Sequence, residues 1–211
     1  MLRKAQKLEI IDLLEATYKG EGTMLKYGSP FELLVAVVLA AQCTDERVNK
    51  ITARIFPRLN TPEKMAALTL EQMEAEIRDC GLYHAKAKNL LAACKLLIEK
   101  FHSQVPATIP ELMELPGVGQ KTANVVANII YGVPAIAVDT HVFRVSHRLQ
   151  LAKGKDPLET EKELEKLIPI AKWGEAHHWL IWHGRRICKA RNPLCKDCVL
   201  LEKCPFKEKN M

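Results

Sequence analysis

A lysine, an aspartate and four cysteines are the residues of this chain whose types and spacing point to chemistry. Lys121 stands in Leu115-Pro116-Gly117-Val118-Gly119-Gln120-Lys121-Thr122-Ala123. That stretch reads as a tight glycine turn opening a helix, with the lysine in its first turn. The first N–H groups of a helix have no partner within it, so a helix N-terminus is a ready anion site. A cation is disfavoured at that end of the macrodipole. Both the dipole and removal from water favour a neutral amine, which suits Lys121 to act as a nucleophile toward a Schiff base. The plain alternative is a solvated surface lysine beside an inter-helical turn. Asp139 follows eighteen residues later. It stands just before a helical pattern, where an N-cap is expected, and backbone N–H bonds favour its ionised form. Such a carboxylate can also stabilise developing positive charge or take a proton.

Cys188, Cys195, Cys198 and Cys204 are spaced C-x6-C-x2-C-x5-C and make up four of the seven cysteines. Four thiolates in a loop-rich segment can hold a tetrahedral zinc or an iron–sulfur cluster, and spacing does not choose between them. Arg185, Arg186, Lys189, Arg191, Lys196 and Lys203 crowd the same segment against only Asp197 and Glu202. A basic loop so pinned would suit phosphate contact; a purely structural staple is the competing reading. Cys43, Cys80 and Cys94 fall in or beside helical patterns and read as small buried apolar residues.

The elements that position these residues read as helices throughout. Ser29-Pro30-Phe31-Glu32 supplies an N-cap, a proline at the first helical position and a capping glutamate. The apolar run after it marks a helix buried on most sides. Thr61, Thr69 and Thr108 open further helices, the second ending near Cys80-Gly81 with Gly81 as an expected C′ residue. His84 to His102 has helical apolar spacing, and Gln120 to Tyr131 is helical up to Gly132 and Pro134. Ile136-Ala137-Val138 could pass for a strand but has no evident partner. Helices follow from Asp139, from Leu158 and from Ala176, and the tail after Cys188 has no period. Gly117 and Gly119 are expected to give the turn left-handed dihedrals and close backbone approach to a ligand. The expected fold class is all-α, with a boundary at Gly132–Pro134.

Composition narrows the function classes. Nearly half the 211 residues are apolar, which excludes a disordered chain. A formal charge of +6 fits a polyanionic partner without demanding one. The first twenty residues alternate charged with apolar side chains and read as an amphipathic helix, not a secretory signal. The longest apolar run, Leu33 to Ala41, is too short to span a bilayer. A cytoplasmic protein with no membrane partner is the expectation.

Taken together, Leu39-Ala40-Ala41-Gln42-Cys43-Thr44-Asp45, Gly81-Leu82-Tyr83, Leu115 to Asn124, Val138-Asp139-Thr140-His141, His177-His178-Trp179 and the cysteine quartet resemble the endonuclease III family. That family lies within the helix-hairpin-helix DNA glycosylases, and the likeness runs in order from about residue 30 to residue 206. It implies a six-helix barrel domain over residues 22–132, ending in the helix-hairpin-helix. It also implies a discontinuous 4Fe-4S cluster domain over 1–21 and 133–211, with the cluster loop at 188–204. The implied activity is excision of oxidised pyrimidines from double-stranded DNA, followed by nicking of the abasic site, by a monomer. Lys121 would be the nucleophile at the sugar and Asp139 the assisting carboxylate. Gln42 and Leu82 would fill the space left by an extruded nucleotide. Gly117, Val118, Gly119, His141, Arg185 and Arg191 would contact DNA, and the four cysteines would ligate the cluster. Cys43 departs from the alanine of many relatives, and His84 replaces a small polar residue.

Two competing readings are separable. The adenine-specific mismatch branch of the same superfamily typically lacks the lysine, carries a glutamate in the early helix and adds a C-terminal domain. Here Lys121 is present and Gln42-Cys43-Thr44 occupies the early site. A non-catalytic DNA-binding module with a structural zinc would bind without releasing a base.

Overall fold

The computed structural model describes residues 2–211, and it is all-α: no strand occurs among the described residues. Eleven α-helices follow in order. They are α1 (Lys4–Tyr18), α2 (Pro30–Ala40), α3 (Asp45–Ile55), α4 (Pro62–Ala66), α5 (Leu70–Ile77) and α6 (Tyr83–Phe101). After these come α7 (Ile109–Met113), α8 (Gln120–Tyr131), α9 (Thr140–Arg148), α10 (Pro157–Leu167) and α11 (Trp173–Arg186).

Side-chain caps start most of them. The hydroxyls of Ser29, Thr61 and Thr108 accept from the N–H three residues on, and Thr69 with Gln72 forms a full capping box. Each such cap contributes about 1 kcal/mol. Helix α3 was not anticipated from the sequence, although its signals are present. Thr44 accepts from the Arg47 N–H at 3.3 Å, two acidic residues follow, and Val48, Ile51 and Ile55 form its buried stripe. The segment Ile136–Val138 is buried and extended without a partner strand. Gly81 does not terminate a helix. Helix α5 stops at Ile77 with Arg78 as its cap, and the left-handed residue is Leu82, at φ 60°.

The chain divides into two compact units, Met24–Val133 and a discontinuous one made of the residues up to Thr23 with Pro134–Met211. In the first, α2 packs against α3, α6 and α8, α4 and α5 against α6, and α7 against α8. Leu39, Ile51, Ile55, Met65, Met73 and Leu97 fill its core. In the second, α1 and α9 both pack on α11 around Ile10, Ile11, Leu14, Val142, Val145 and Trp179. Polar ties bring the N-terminal helix home: the Tyr18 hydroxyl and His183 Nδ1 share a hydrogen bond at 3.0 Å, and Lys172 pairs with Glu15 at 2.6 Å. No helix among the described residues is long and apolar enough to cross a membrane.

Candidate active site

In the Met24–Val133 unit the hairpin runs from α7 through a turn into α8. Leu115 and Val118 are buried and pin the turn, which closes with the Val118 N–H donating to the Leu115 carbonyl at 3.0 Å. Gly117 has φ +84°, and a Cβ there would lie 2.9 Å from the Asn89 Cβ, so both conformation and space require glycine. Gly119 does not need the left-handed region expected for it. It is the extended N-cap of α8 at φ −93°, with nothing within 4 Å of where a Cβ would stand. No side chain caps α8, so the amides of its first turn are available to an anion. Val118 turns its side chain into the core and has only its backbone to offer. Lys121 is the second residue of α8 and is exposed. The free chain leaves this amine in water.

Gln42 and Leu82 lie on two abutting loops of the same unit. Both are exposed and both are left-handed, at φ 54° and 60°. Gly81 lets the loops meet, since a Cβ there would come within 3.1 Å of the Gln42 carbonyl oxygen. Beneath them Lys86, only 5% exposed, donates from Nζ to the carbonyls of Leu39 (2.8 Å) and Ala41 (2.6 Å) and to Cys80 Sγ (3.1 Å). His84 is paired through Nδ1 with Glu74 at 2.8 Å.

In the discontinuous unit, buried Ile136–Val138 leads into Asp139, the N-cap of α9. Its Oδ1 accepts from both the His141 and Val142 N–H groups at 2.8 Å, which leaves Oδ2 outside the cap. Arg144 Nη2 lies 3.2 Å from His141 Nδ1. Burial lowers the His141 pKa, opposed by Asp139 and helped by Arg144 and Arg185. Burial also holds His178 down at about 4, with Arg185 pushing the same way and Asp139 opposing. Arg185 and His178 thus share the field of the carboxylate. Arg191 is exposed in the cysteine segment.

The four C-terminal cysteines form no disulfide. They line one cavity with Leu149, His183, Ile187, Pro193 and Phe206. Burial pushes the Cys198 and Cys204 thiols up. No three described His, Cys, Asp or Glu side chains close on a single ion. Arg144 and Arg148 tie α9 to this loop. Arg144 donates to the Cys188 and Gly184 carbonyls, and Arg148 to the Lys189 and Ala190 carbonyls and, at 3.5 Å, to Cys188 Sγ.

Residues 35–170 match the family model described as the HhH-GPD superfamily base excision DNA repair protein. The chain is 46% identical to endonuclease III of Escherichia coli K12 over 208 residues, 99% of each chain. It is 49% identical to endonuclease III of Bacillus subtilis strain 168 over 181 residues, 85% of this chain and 83% of that one. The chain belongs to the endonuclease III family. Among solved structures it resembles a trapped endonuclease III–DNA covalent intermediate, at TM-score 0.93 and 48% identity over 97% of both chains. It resembles a non-covalent endonuclease III–DNA complex equally well, at 0.93 and 48% over 97% and 96%.

For this member of the endonuclease III family, the structure brings Gln42 and Leu82 together, and it groups Asp139, His141 and Arg185 around α9. Three residues were not anticipated. Lys86 is a lysine on the apolar face of α6, in step with Leu90, Cys94 and Leu97, and that misplacement was the available signal. Arg144 carries no local signal, because its partners lie far along the chain, and His178 shows only as part of His177-His178-Trp179, with no sign of its place beside Asp139.

Proposed function

We propose that this chain is a bifunctional DNA glycosylase and abasic-site lyase of base excision repair, acting on oxidised pyrimidines in duplex DNA. The observation that carries the reading is Lys121, an exposed amine in the uncapped first turn of the hairpin's second helix. A structural relative at 48% identity is a covalent DNA intermediate. In this reading Gly117 shapes the turn and the amides after Val118 and Gly119 hold a backbone phosphate, with His141, Arg185 and Arg191 adding contacts. DNA closing over Lys121 supplies the desolvation that the free chain lacks.

Lys121 Nζ attacks C1′ as the glycosidic bond breaks and the base departs with a proton. Asp139 stabilises the developing positive charge and moves the protons. Ring opening gives an imine between Nζ and C1′, which acidifies the C2′ proton. Loss of that proton expels the 3′ phosphate by β-elimination. Water then hydrolyses the imine and restores the amine. Gln42 and Leu82 occupy the space left by the extruded nucleotide.

Cys188, Cys195, Cys198 and Cys204 would hold a 4Fe-4S cluster. The fit is supported by four thiols lining one apolar cavity. When bound, the cluster would hold closed the basic loop that carries Arg191. The Met24–Val133 unit would be the barrel domain and the discontinuous unit the cluster domain, in a monomer working in the bacterial cytoplasm.

Borohydride in the presence of abasic or thymine-glycol DNA should trap a covalent adduct. Lys121→Ala should lose it by at least about a thousandfold, as for removal of a covalent nucleophile. Normal trapping and nicking by that variant would refute the assignment.

A further inference from the structure

Gln42 and Leu82 hold left-handed backbone conformations with ordinary side chains. Such conformations persist only where the surroundings over-determine them. The Leu82 side chain is 58% exposed and buries little, so what holds the pair lies beneath it.

That support is Lys86. An ammonium has three donors, and here all three are used on the two loops at once. Leu39 and Ala41 carry terminal carbonyls of α2, which no helical N–H satisfies, immediately before Gln42. Cys80 stands two residues before Leu82, and its thiol donates in turn to the Leu39 carbonyl at 3.2 Å. The cation also sits at the negative end of the α2 dipole. Lys86 itself springs from the first turn of α6, whose N-cap is Leu82. One turn further along α6, Asn89 abuts Gly117 of the hairpin. A single helix thus references both loops and the phosphate-binding turn.

We infer that Lys86 is a positioning residue for base extrusion, its buried ammonium locking the Gln42 and Leu82 loops in one register so that both side chains enter the duplex as a preformed pair. The inference rests on the functional reading above, in which these two residues fill the vacated space.

The test uses the full chain in three forms: wild type, Lys86→Met and Lys86→Arg. Single-turnover base release is measured on a duplex with thymine glycol beside 2-aminopurine, whose fluorescence reports unstacking. Borohydride trapping is measured on a single-stranded abasic oligonucleotide, which needs no extrusion. Lys86→Met should slow duplex base release and the fluorescence rise by about ten- to hundredfold relative to its own single-strand trapping. Lys86→Arg, which keeps the charge and donors, should restore most of that ratio. An unchanged ratio in Lys86→Met, with wild type trapping normally, overturns the inference alone. Absence of trapping by wild type on both substrates overturns the functional reading instead. Should Lys86→Met fail to fold, Cys80→Ala carries the test, with a few-fold change in the same direction expected and no change overturning the inference.

Discussion

The two units carry opposite designs for the groups they contribute. In the Met24–Val133 unit the chemistry-bearing residues stand exposed on turns: Lys121 on the hairpin, and Gln42 and Leu82 on paired loops. The apolar core under them does the holding, with one buried ammonium as its main polar device. In the discontinuous unit Asp139 is enmeshed. Its Oδ1 is fully used by the helix cap, burial pushes the neighbouring His141 and His178 down, and arginines run from α9 to the cysteine loop. In the proposed reaction Lys121 must reach a sugar carbon, and it stands on a free helix end, whereas the assisting carboxylate Asp139 is fixed by backbone donors.

This contrast predicts different failures. The largest effect should follow loss of the proposed cluster. Structural metal sites contribute on the order of 10 kcal/mol to the fold that holds them. Removing iron oxidatively, or substituting Cys198→Ser, should speed amide hydrogen exchange across residues 187–206, α9 and α11. Exchange in α2 to α6 should stay protected. Uniform deprotection of both units would break the comparison.

Core truncation should do the reverse. Leu97 is fully buried in the Met24–Val133 unit, and Leu97→Ala should cost about 2–5 kcal/mol. Its destabilisation should appear first in exchange of α4, α5 and α6, the helices that pack together there. The iron–sulfur absorbance should persist.

A smaller effect should come from acid. His178 falls from 6.5 to about 4 in the folded chain, chiefly through burial, with Arg185 assisting, Asp139 opposing and the His177 ring stacked at 4.0 Å. The unfolded state therefore binds more protons between those values, so its stabilising contribution is complete above pH 6.5 and is lost toward pH 4. The loss should be of order 1–3 kcal/mol, and His178→Gln should flatten that part of the stability–pH curve measured by chemical denaturation. An unaltered slope in the variant would assign the acid sensitivity elsewhere.

Legibility followed the range of the interactions. The caps at Ser29, Thr61, Thr69 and Thr108 and the proline starts involve residues three or four apart, so their types alone reveal them. Helix α3 has signals as local as these in Thr44-Asp45-Glu46 and its apolar stripe. The glycines divide. Gly117 is left-handed, but Gly119 is extended, and Gly81 is required by the nearness of the Gln42 carbonyl rather than by a helix end. Burial of Val118 and the exposed left-handed backbone at Gln42 and Leu82 carry no local signature.

By itself the sequence determined an all-helical chain, the hairpin with Lys121 in the first turn of α8, Asp139 as the cap of α9, and four cysteines within reach of one another. All of these depend on spacing of a few residues along the backbone. Only the tertiary structure decided that Lys86 reaches back to Leu39 and Ala41, that Arg144 joins Asp139's helix to Cys188, and that Tyr18 meets His183 across 165 positions. Those contacts arise because buried carbonyls, thiols and ring nitrogens must find partners once water is excluded. Which partner arrives is settled by how the helices pack.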